Sequence, residues 1–354
     1  MSEEAKTVPP PPNRSSPWAV AIVVGALLVA GFATVRQARQ GRAPAPLEPA
    51  LKFDDASYRA TDAGQIAWQE THSFETGFQN PRGIALSGVG KRLFVAGDRH
   101  VRAFRFDGCR ENAFEVGNEA YCIAVASDGR LAVGLKDRVE LWTGAGQRLA
   151  QWETLGATAH LTGLCASGDS FYAGDAGNRV VLQFDAQGRI VGRFGERNLA
   201  RNQPGLVMPS PHLDVAVDAH GTLWLNNPGR HRLEAYAENG DRLRTWGSSG
   251  FDVTGFCGCC NPTDFAILPD GRFVTAEKGI PRVKVSTADG VLENVVAGAE
   301  SFEGDNIGLD LAAAPDGRIF VLDSVRKTVR VFAPKTAETL QRTGRATGDT
   351  RAGQ

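Results

Sequence analysis

Three cysteines lie within four positions of the chain, at Cys257, Cys259 and Cys260. Thiolates are soft ligands for zinc, copper(I) or iron, and these metals also accept imidazole nitrogen. His212 follows the stiff sequence Pro-Ser-Pro and could supply that nitrogen. These four residues are therefore predicted to form a metal or redox site. The sequence does not name a cofactor, and a thiolate-bound transition metal such as zinc is the candidate.

The same cysteines admit two further interpretations. Lys278 could lower the pKa of a neighbouring thiol and create a redox pair. A structural disulfide, for example Cys257 to Cys260, could instead hold an irregular loop in an exported protein. A bond between the adjacent Cys259 and Cys260 would be strained and readily reduced. Structural roles are predicted for the other three cysteines, Cys109, Cys122 and Cys165.

Several polar residues are candidates for contact with a ligand. Glu277 and Lys278 place an acid beside a cation, which could bind a polar ligand or form a solvated ion pair that contributes about 0–1 kcal/mol. His160 could act as a ligand or proton carrier, or it could hydrogen-bond the backbone. Arg230 could belong to a turn. The predicted ligand or partner face consists of Glu277, Lys278, His160, Asn227, Arg230 and Asp305.

Composition and motifs exclude some classes of function. The formal net charge is −1, and no long basic stripe is present, so a nucleic-acid partner held by phosphate contacts is not expected. The chain has no Gly-rich phosphate loop, GxSxG elbow or HExxH motif. The common nucleotide and hydrolase signatures are therefore absent.

A repeat of about forty to fifty residues positions these side chains. Apolar first runs recur at Ile84-Ala85, Ile123-Ala124, Leu164-Cys165, Val215-Ala216, Phe265-Ala266 and Leu311-Ala312. Four of them are followed by a turn ending in glycine, at Gly129, Gly221, Gly271 and Gly317. Such a period with tight turns between β-rich runs predicts propeller blades. The predicted fold is all-β, a six-bladed β-propeller of four-stranded antiparallel blades.

The ring is predicted to close on the strand that precedes the first repeat. The last repeat lacks a fourth strand, whereas residues 62–68 read as a turn and a fourth strand with no repeat of their own. In a propeller, the loop that leads into each innermost strand and the loop after the second strand open on the same face. The cysteine cluster and Glu277-Lys278 are therefore expected to be neighbours.

Two segments resemble a known repeat family. Residues 174–180 (GDAGNRV) and 227–233 (NPGRHRL) resemble the NHL repeat, as does Asn80-Pro-Arg-Gly-Ile-Ala85. The resemblance covers roughly residues 60–334 and implies a six-bladed propeller. It implies no single activity, because NHL propellers include RNA-binding modules, extracellular sensors and a zinc-dependent amidating lyase. The segment Cys257-Gly-Cys-Cys-Asn-Pro262 also resembles uncharacterised bacterial membrane-anchored NHL proteins.

The chain divides into five predicted segments. Residues 1–17 are a polar, Pro-rich tail, and the uncharged residues 18–35 have the length of a transmembrane anchor. Residues 36–55 form a linker, 56–334 the propeller and 335–354 a flexible tail. A cleaved signal peptide is the alternative to the anchor. The arginines after residue 35 favour a cytoplasmic propeller, but long domains translocate largely regardless of charge. An extracytoplasmic, periplasmic location is the prediction.

Two functions follow as hypotheses. The first is a membrane-tethered binding module whose Cys-rich upper face takes a small ligand or a protein partner. The second is a metal-dependent or redox enzyme that uses the Cys-rich funnel. The first is favoured because the sequence shows no complete catalytic set. No nucleic-acid partner is predicted.

Overall fold

A computed structural model describes Trp18 and residues 56–88, 91–304 and 308–336. The predicted tail and linker, and the anchor apart from Trp18, lie outside the described residues, as does the tail after residue 336. Within the described residues, no helix is both long enough and apolar enough to cross a membrane. The propeller residues belong to one compact unit, Asp55–Gln354.

The described residues form six four-stranded antiparallel sheets, which confirms the predicted fold class. Blade 1 contains β2 (Pro81–Ser87), β3 (Arg92–Gly97), β4 (His100–Arg105) and β5 (Arg110–Glu115). Blade 2 contains β6 (Ala120–Val125), β7 (Leu131–Leu135), β8 (Val139–Trp142) and β9 (Arg148–Gln151). Blade 3 contains β10 (Leu161–Ser167), β11 (Ser170–Asp175), β12 (Val180–Phe184) and β13 (Ile190–Phe194).

The second half of the ring repeats the pattern. Blade 4 contains β14 (Val215–Val217), β15 (Leu223–Asn227), β16 (Arg232–Tyr236) and β17 (Arg242–Trp246). Blade 5 contains β18 (Asp264–Ile267), β19 (Phe273–Ala276), β20 (Val283–Ser286) and β21 (Leu292–Ala297). Blade 6 contains β22 (Leu309–Ala313), β23 (Ile319–Asp323), β24 (Thr328–Pro334) and β1 (Trp68–Glu75). Between residues 56 and 336, the described helical segments are short: α1 (Ala56–Arg59) and 3₁₀ turns at Ala63–Gln65, Leu199–Arg201, Pro228–Arg230 and Ala299–Ser301.

The predicted ring closure is confirmed. Strand β1 pairs antiparallel with β24, with Trp68 opposite Pro334 and Glu75 opposite Thr328. The strand begins at Trp68, the last residue of the predicted segment 62–68, and Ile66 within that segment forms an isolated parallel bridge with Val295 of blade 5. The two ends of the propeller are thus joined within one sheet, and β1 covers the edge that β24 would otherwise expose.

Apolar packing lies between blades rather than within one of them. The six large hydrophobic clusters of the described residues each combine side chains of two neighbouring blades, and together they run around the ring. Between blades 4 and 5, for example, the ring of Trp224 lies 4.7 Å from that of Phe273. A single four-stranded sheet cannot cover its own faces, so burial at these interfaces stabilises the closed ring.

The four predicted turn glycines all adopt positive φ, between 81° and 87°. This left-handed conformation costs a side-chain-bearing residue free energy, whereas glycine adopts it readily. The turns between first and second strands therefore lie where the sequence pattern indicated. The innermost strands of the six blades, β2, β6, β10, β14, β18 and β22, surround the central channel.

Candidate functional site

Loops from all six blades meet at one end of the channel around a cavity of about 280 Å³. This channel-mouth cavity is lined among others by Arg82, Tyr121, His160, His212, Asp264 and Asp310. Its size is at the lower end of the range for small-ligand pockets. Any ligand that fits within it must therefore be small.

β-Bulges in the first three blades turn side chains toward the cavity. The innermost strand of each of these blades skips one residue in its pairing with the second strand. The skipped residues are Arg82, Tyr121 and Thr162, and all three line the cavity. A bulge leaves its extra residue out of the ladder and redirects that side chain. The bulges thus explain why three polar or aromatic groups converge at equivalent positions.

Arg82 brings a positive charge to the rim of the cavity. Its guanidinium lies 4.5 Å from the centre of the Tyr121 ring, a cation–π contact. Glu119 approaches the guanidinium at 3.9 Å and accepts a hydrogen bond from the Tyr121 hydroxyl at 3.0 Å. Arg82 and Glu119 are both substantially exposed, so this pair screens the charge only weakly. Arg82 is available to an anionic group.

Two histidines lie in the wall of the cavity, as the sequence predicted for this end of the channel. Burial lowers the pKa of His160, assisted by the charges of Lys136 and Arg82 and opposed by Asp175. Burial also lowers the pKa of His212 to about 4, with Lys278 and His160 adding to the effect. Both imidazoles are therefore neutral at pH 7 and can each donate one hydrogen bond and accept another.

Three aspartates connect blades 4, 5, 6 and 1 along the channel. Each carboxyl accepts a hydrogen bond from a backbone N–H of the following blade. The pairs are Asp214 with Phe265 at 3.1 Å, Asp264 with Leu311 at 2.9 Å, and Asp310 with Ile84 at 3.1 Å. Asp264 and Asp310 also form part of the cavity lining. The same carboxyl groups thus join the blades and provide polar groups to the cavity.

Asp264 and Asp310, called the cavity floor below, change the charge of the channel-mouth cavity when they gain or lose a proton. Burial raises the pKa of Asp214 to about 7. Burial also raises the pKa of Asp264 and of Asp310 well above the usual range, and the neighbouring carboxyl groups raise it further. Two protonated carboxyl groups make a neutral, hydrogen-bonding floor, whereas ionised groups make it anionic.

The cysteine loop is fixed to the loop after β19, as predicted from blade topology. The Asn261 side chain donates to the carbonyls of Cys257 at 2.6 Å and Lys278 at 2.8 Å. The backbone N–H of Lys278 donates to Asn261 Oδ1 at 2.9 Å. The Cys257 thiol is buried and donates to the Lys278 carbonyl at 3.5 Å. Asn261 therefore holds the two loops together.

Glu277 lies beneath this loop and is 0% exposed. Its carboxylate pairs with Arg282 at 3.0 Å and with Lys284 at 2.8 Å, and it accepts the backbone N–H of Cys257 at 3.0 Å. Arg282 and Lys284 are themselves buried. The solvated pair considered from the sequence is therefore replaced by a buried cluster. Lys278, which is partly exposed, is the member of the predicted acid–cation pair that reaches the surface.

Cys259 and Cys260 are adjacent free thiols, with their sulfur atoms 3.3 Å apart. Cys259 is exposed and Cys260 is 5% exposed. Burial raises the pKa of Cys260, but hydrogen bonds from Ser210, Cys259 and Lys278 outweigh it, so the pKa lies below the ordinary value. The hydrogen bond to Cys260 raises the pKa of Cys259. The Cys257–Cys260 disulfide considered from the sequence is not formed in this structure.

The other predicted face residues lie apart from the cavity. Asn227 is buried, where it accepts from the Val207 N–H at 3.0 Å and donates to Glu234 at 2.8 Å. This role in holding a loop explains why Asn227 does not face a ligand. Arg230 is exposed and lines a separate surface depression. Asp305 lies outside the described residues.

The predicted metal ligands do not converge as a set. Among the described residues, no group of three or more His, Cys, Asp or Glu side chains is placed to hold a metal ion. Cys257 contacts Lys278, Cys259 contacts Cys260, and His212 lines the cavity. What the structure does bring together is Cys260, Ser210 and Lys278.

Sequence reasoning missed Arg82, Tyr121, Ser210 and the three aspartates. A signal for the aspartates was present in the repeat itself. The residue just before each first-run anchor is Gly83, Cys122, Gly163, Asp214, Asp264 or Asp310. A Cβ at Gly83 would lie 2.9 Å from the backbone of Cys122, and one at Gly163 would lie 2.7 Å from Asp214. Glycine thus stands where the next blade comes closest, and aspartate where it provides a hydrogen bond.

Comparison with known proteins identifies a class of fold. No protein-family model matches the chain, and no curated protein matches it in sequence. The WD40 β-propeller domain of Doa1 matches with a TM-score of 0.52 at 14% identity, over 76% of this chain and 98% of that one. A structural genomics protein of unknown function from Bacteroides thetaiotaomicron VPI-5482 matches with a TM-score of 0.54 at 15% identity, over 79% and 74%.

Identities this low show the fold alone. The chain is therefore a six-bladed β-propeller, as its own strand topology also shows.

Proposed function

We propose that this protein is a membrane-tethered, NHL-like propeller that binds a small anionic ligand in the channel-mouth cavity. The observation that carries the proposal is the arrangement of Arg82 at the rim above a neutral, hydrogen-bonding wall and floor. The repeat pattern of residues 60–334 supports the NHL assignment, and the uncharged segment 18–35 supports the tether. A periplasmic propeller accords with the tendency of long domains to translocate largely regardless of charge.

Charge selects the class of ligand. Lys278 lies close enough to His212 to lower its pKa, so a second cation stands near the cavity. In the described residues, no carboxylate lies within ion-pair distance of Lys278, whose ammonium donates to Ser210 Oγ at 2.9 Å. Arg82 and Lys278 together favour a carboxylate or phosphate group at the rim.

The wall and floor favour polar groups on the remainder of the ligand. Neutral His160 and His212 and the protonated carboxyl groups of Asp264 and Asp310 can donate and accept hydrogen bonds without opposing a negative charge. Ionisation of the aspartates at higher pH would repel an anion. Asp214, whose pKa is about 7, lies close enough to act on both groups, so its ionisation adds a negative charge near them, and affinity for the ligand is expected to fall as the pH rises through 7.

The test uses the purified full-length chain with acetate, citrate, glutamate and inorganic phosphate as probes. At a concentration of about 100 times the dissociation constant, a probe should stabilise the fold by about 2.7 kcal/mol, which thermal unfolding measures. Arg82→Gln should weaken binding by roughly tenfold or more, since it removes a charge-assisted hydrogen bond. Arg230→Gln removes the same charge outside the cavity and should leave binding unchanged. Equal losses in both variants, or no stabilisation by any probe, would contradict the proposal.

The alternative function, a metal-dependent or redox enzyme, is favoured by one specific observation. Cys260 is the cysteine whose pKa is lowered, through Ser210, Cys259 and Lys278. A thiolate is both a nucleophile and a soft metal ligand. This observation concerns the thiol pair rather than the cavity, so the two functions can be tested separately.

A further inference from the structure

Cys259 and Cys260 form a pair in which one thiol is accessible and the other is held in place. Their sulfur atoms are 3.3 Å apart, with Cys259 exposed and Cys260 nearly buried. Asn261 fixes the backbone that follows them by its hydrogen bonds to the carbonyls of Cys257 and Lys278. A reagent from solvent must therefore reach Cys259 first, while Cys260 stands directly behind it.

Polar groups around the inner sulfur favour its thiolate. Ser210 and Lys278 lower the pKa of Cys260, and the Lys278 ammonium donates a hydrogen bond to Ser210 Oγ at 2.9 Å. The thiol of Cys259 also lowers the pKa of Cys260 by a hydrogen bond, and its own pKa is raised by that contact. These opposite directions mean that, once the pair loses a proton, the negative charge is favoured on the inner sulfur and the remaining proton on the outer one.

We propose that Cys259 and Cys260 are a dithiol exchange site for low-molecular-weight disulfides, in which Cys259 takes up the mixed disulfide and Cys260 resolves it. The product is a disulfide between the two adjacent cysteines. Ser210 and Lys278 are positioning residues that keep Cys260 ready for the second step. None of the four residues forms the lining of the channel-mouth cavity, and Lys278 is the member that also lies near it. The two cysteines themselves are not part of the proposed anion site.

The exchange balances in two steps. First, Cys260 accepts the proton of Cys259, the Cys259 sulfur attacks one sulfur of the reagent RSSR, and the S–S bond breaks to release RS⁻, which then takes that proton as RSH. Second, the Cys260 thiolate attacks the Cys259 sulfur and displaces the second RS⁻. The two cysteine sulfurs are oxidised by two electrons in total, and the reagent disulfide is reduced to two thiol products.

The other cysteines provide internal comparisons. Cys109 is exposed in a turn, and no second cysteine sulfur within the described residues contacts it. It should form a mixed disulfide that nothing resolves. Cys122 and Cys257 are buried, and burial raises the pKa of both thiols. Burial also raises the pKa of Cys165. These three should react slowly in the folded protein.

The experiment uses full-length protein carrying Cys109→Ser, treated with the aromatic disulfide 5,5′-dithiobis(2-nitrobenzoate). We expect two thionitrobenzoate ions to be released per chain with no reagent retained, and the intact mass to fall by two hydrogens. The added Cys260→Ser should release one ion and retain one thionitrobenzoate on Cys259. Oxidised glutathione should give the same products more slowly. In protein that retains Cys109, that residue should keep a mixed disulfide.

Rates distinguish positioning from simple exposure. Lys278→Met should slow ion release on the order of tenfold at pH 7, because loss of the cation raises the Cys260 pKa and reduces the thiolate fraction. The difference should disappear at high pH, where Cys260 is ionised in both proteins. Retention of reagent in the Cys109→Ser protein would overturn the proposal. Equally rapid reaction of a Cys259→Ser variant, or a Lys278→Met rate that matches the parent at pH 7, would also overturn it.

Discussion

The Asp214 carboxyl group in blade 4 accepts a hydrogen bond from the backbone N–H of Phe265 in blade 5, at 3.1 Å. Asp264 and Asp310 make the equivalent contact one and two blades further on. A buried carboxyl used in this way can accept the bond whether or not it is protonated. Its ionisation, however, places a charge beside two similar groups and is therefore unfavourable.

This relationship predicts a fall in stability between about pH 4 and pH 7. An unfolded aspartate releases its proton near its ordinary pKa of 3.8, whereas folded Asp214 holds it until about pH 7. The folded state therefore binds more protons in that window, and the free energy of unfolding decreases as the pH rises through it. Below pH 3.8 the raised pKa of Asp214 contributes its full stabilisation of the folded state, and above pH 7 that stabilisation is lost.

Asp214→Asn isolates this effect because asparagine can still accept the Phe265 N–H and carries no charge. The variant should gain stability relative to the parent between pH 5 and pH 8, by on the order of a few kcal/mol. Urea unfolding at both pH values measures the difference. Because His212 titrates in both proteins, its contribution cancels in that comparison. Asp214→Ala should be less stable than Asp214→Asn at every pH, and an identical pH dependence for parent and Asn variant would contradict the argument.

The buried cluster around Glu277 makes a second prediction. Replacing Glu277 by Ala leaves the charges of Arg282 and Lys284 buried without their carboxylate. Breaking a buried pair in this way should lower the free energy of unfolding by about 3–5 kcal/mol. Arg193→Ala breaks an exposed pair with Glu196 at 2.9 Å and should cost about 0–1 kcal/mol. Similar losses for both variants in chemical denaturation would show that the buried cluster around Glu277 stabilises the fold no more than an exposed ion pair does.

The fold was predictable because its signals are local. Apolar runs, turn glycines and the spacing between them each occupy a few residues, and six repetitions reinforce the pattern. The loops that meet at the channel mouth were predictable from topology, which placed Lys278 beside the cysteine loop. The burial of individual polar groups was not predictable, because Glu277 meets Arg282, just before β20, and Lys284, within β20, only in the folded blade.

The β-bulges were also beyond the sequence. Arg82 in β2 and Tyr121 in β6 each face the cavity because that residue is skipped in the pairing of its strand. The apolar pattern of these strands is compatible both with the bulge and with regular pairing. The three aspartates, unlike the bulges, left a signal in the sequence, since they occupy the same position in three repeats. Alignment of the blades shows them, but their hydrogen bonds to the next blade appear only in the assembled ring.

The uncharged segment 18–35 predicts stable association with membranes. Its length suits a single helix across the hydrocarbon layer, so the full chain should remain in the membrane fraction after carbonate washing. Protease added to intact spheroplasts should digest the propeller if that domain lies outside the cytoplasm. A chain lacking residues 1–45 should appear in the soluble fraction. Release by carbonate would contradict the anchor, and full protection from protease would contradict the periplasmic location.

Closure of the ring through β1 makes the final prediction. Deletion of residues 1–75 removes Trp68, which is 4% exposed, and exposes the edge of β24. It also removes Glu70, which pairs with the buried Arg330 at 2.6 Å. We expect this chain to lose its cooperative thermal transition and to self-associate, because an open strand edge pairs with other chains.

Deletion of residues 1–55 is the matched control, since it retains β1 and every contact between β1 and β24. That chain should unfold cooperatively at the same temperature as the full-length protein. A synthetic peptide of residues 62–77, added to the chain that lacks residues 1–75, should restore the transition by pairing with β24 in the register that sets Trp68 opposite Pro334. A peptide carrying Trp68→Ala should restore it poorly, because it cannot fill the space between blades 5 and 6. A cooperative, monomeric propeller without residues 1–75 would show that β1 does not close the ring.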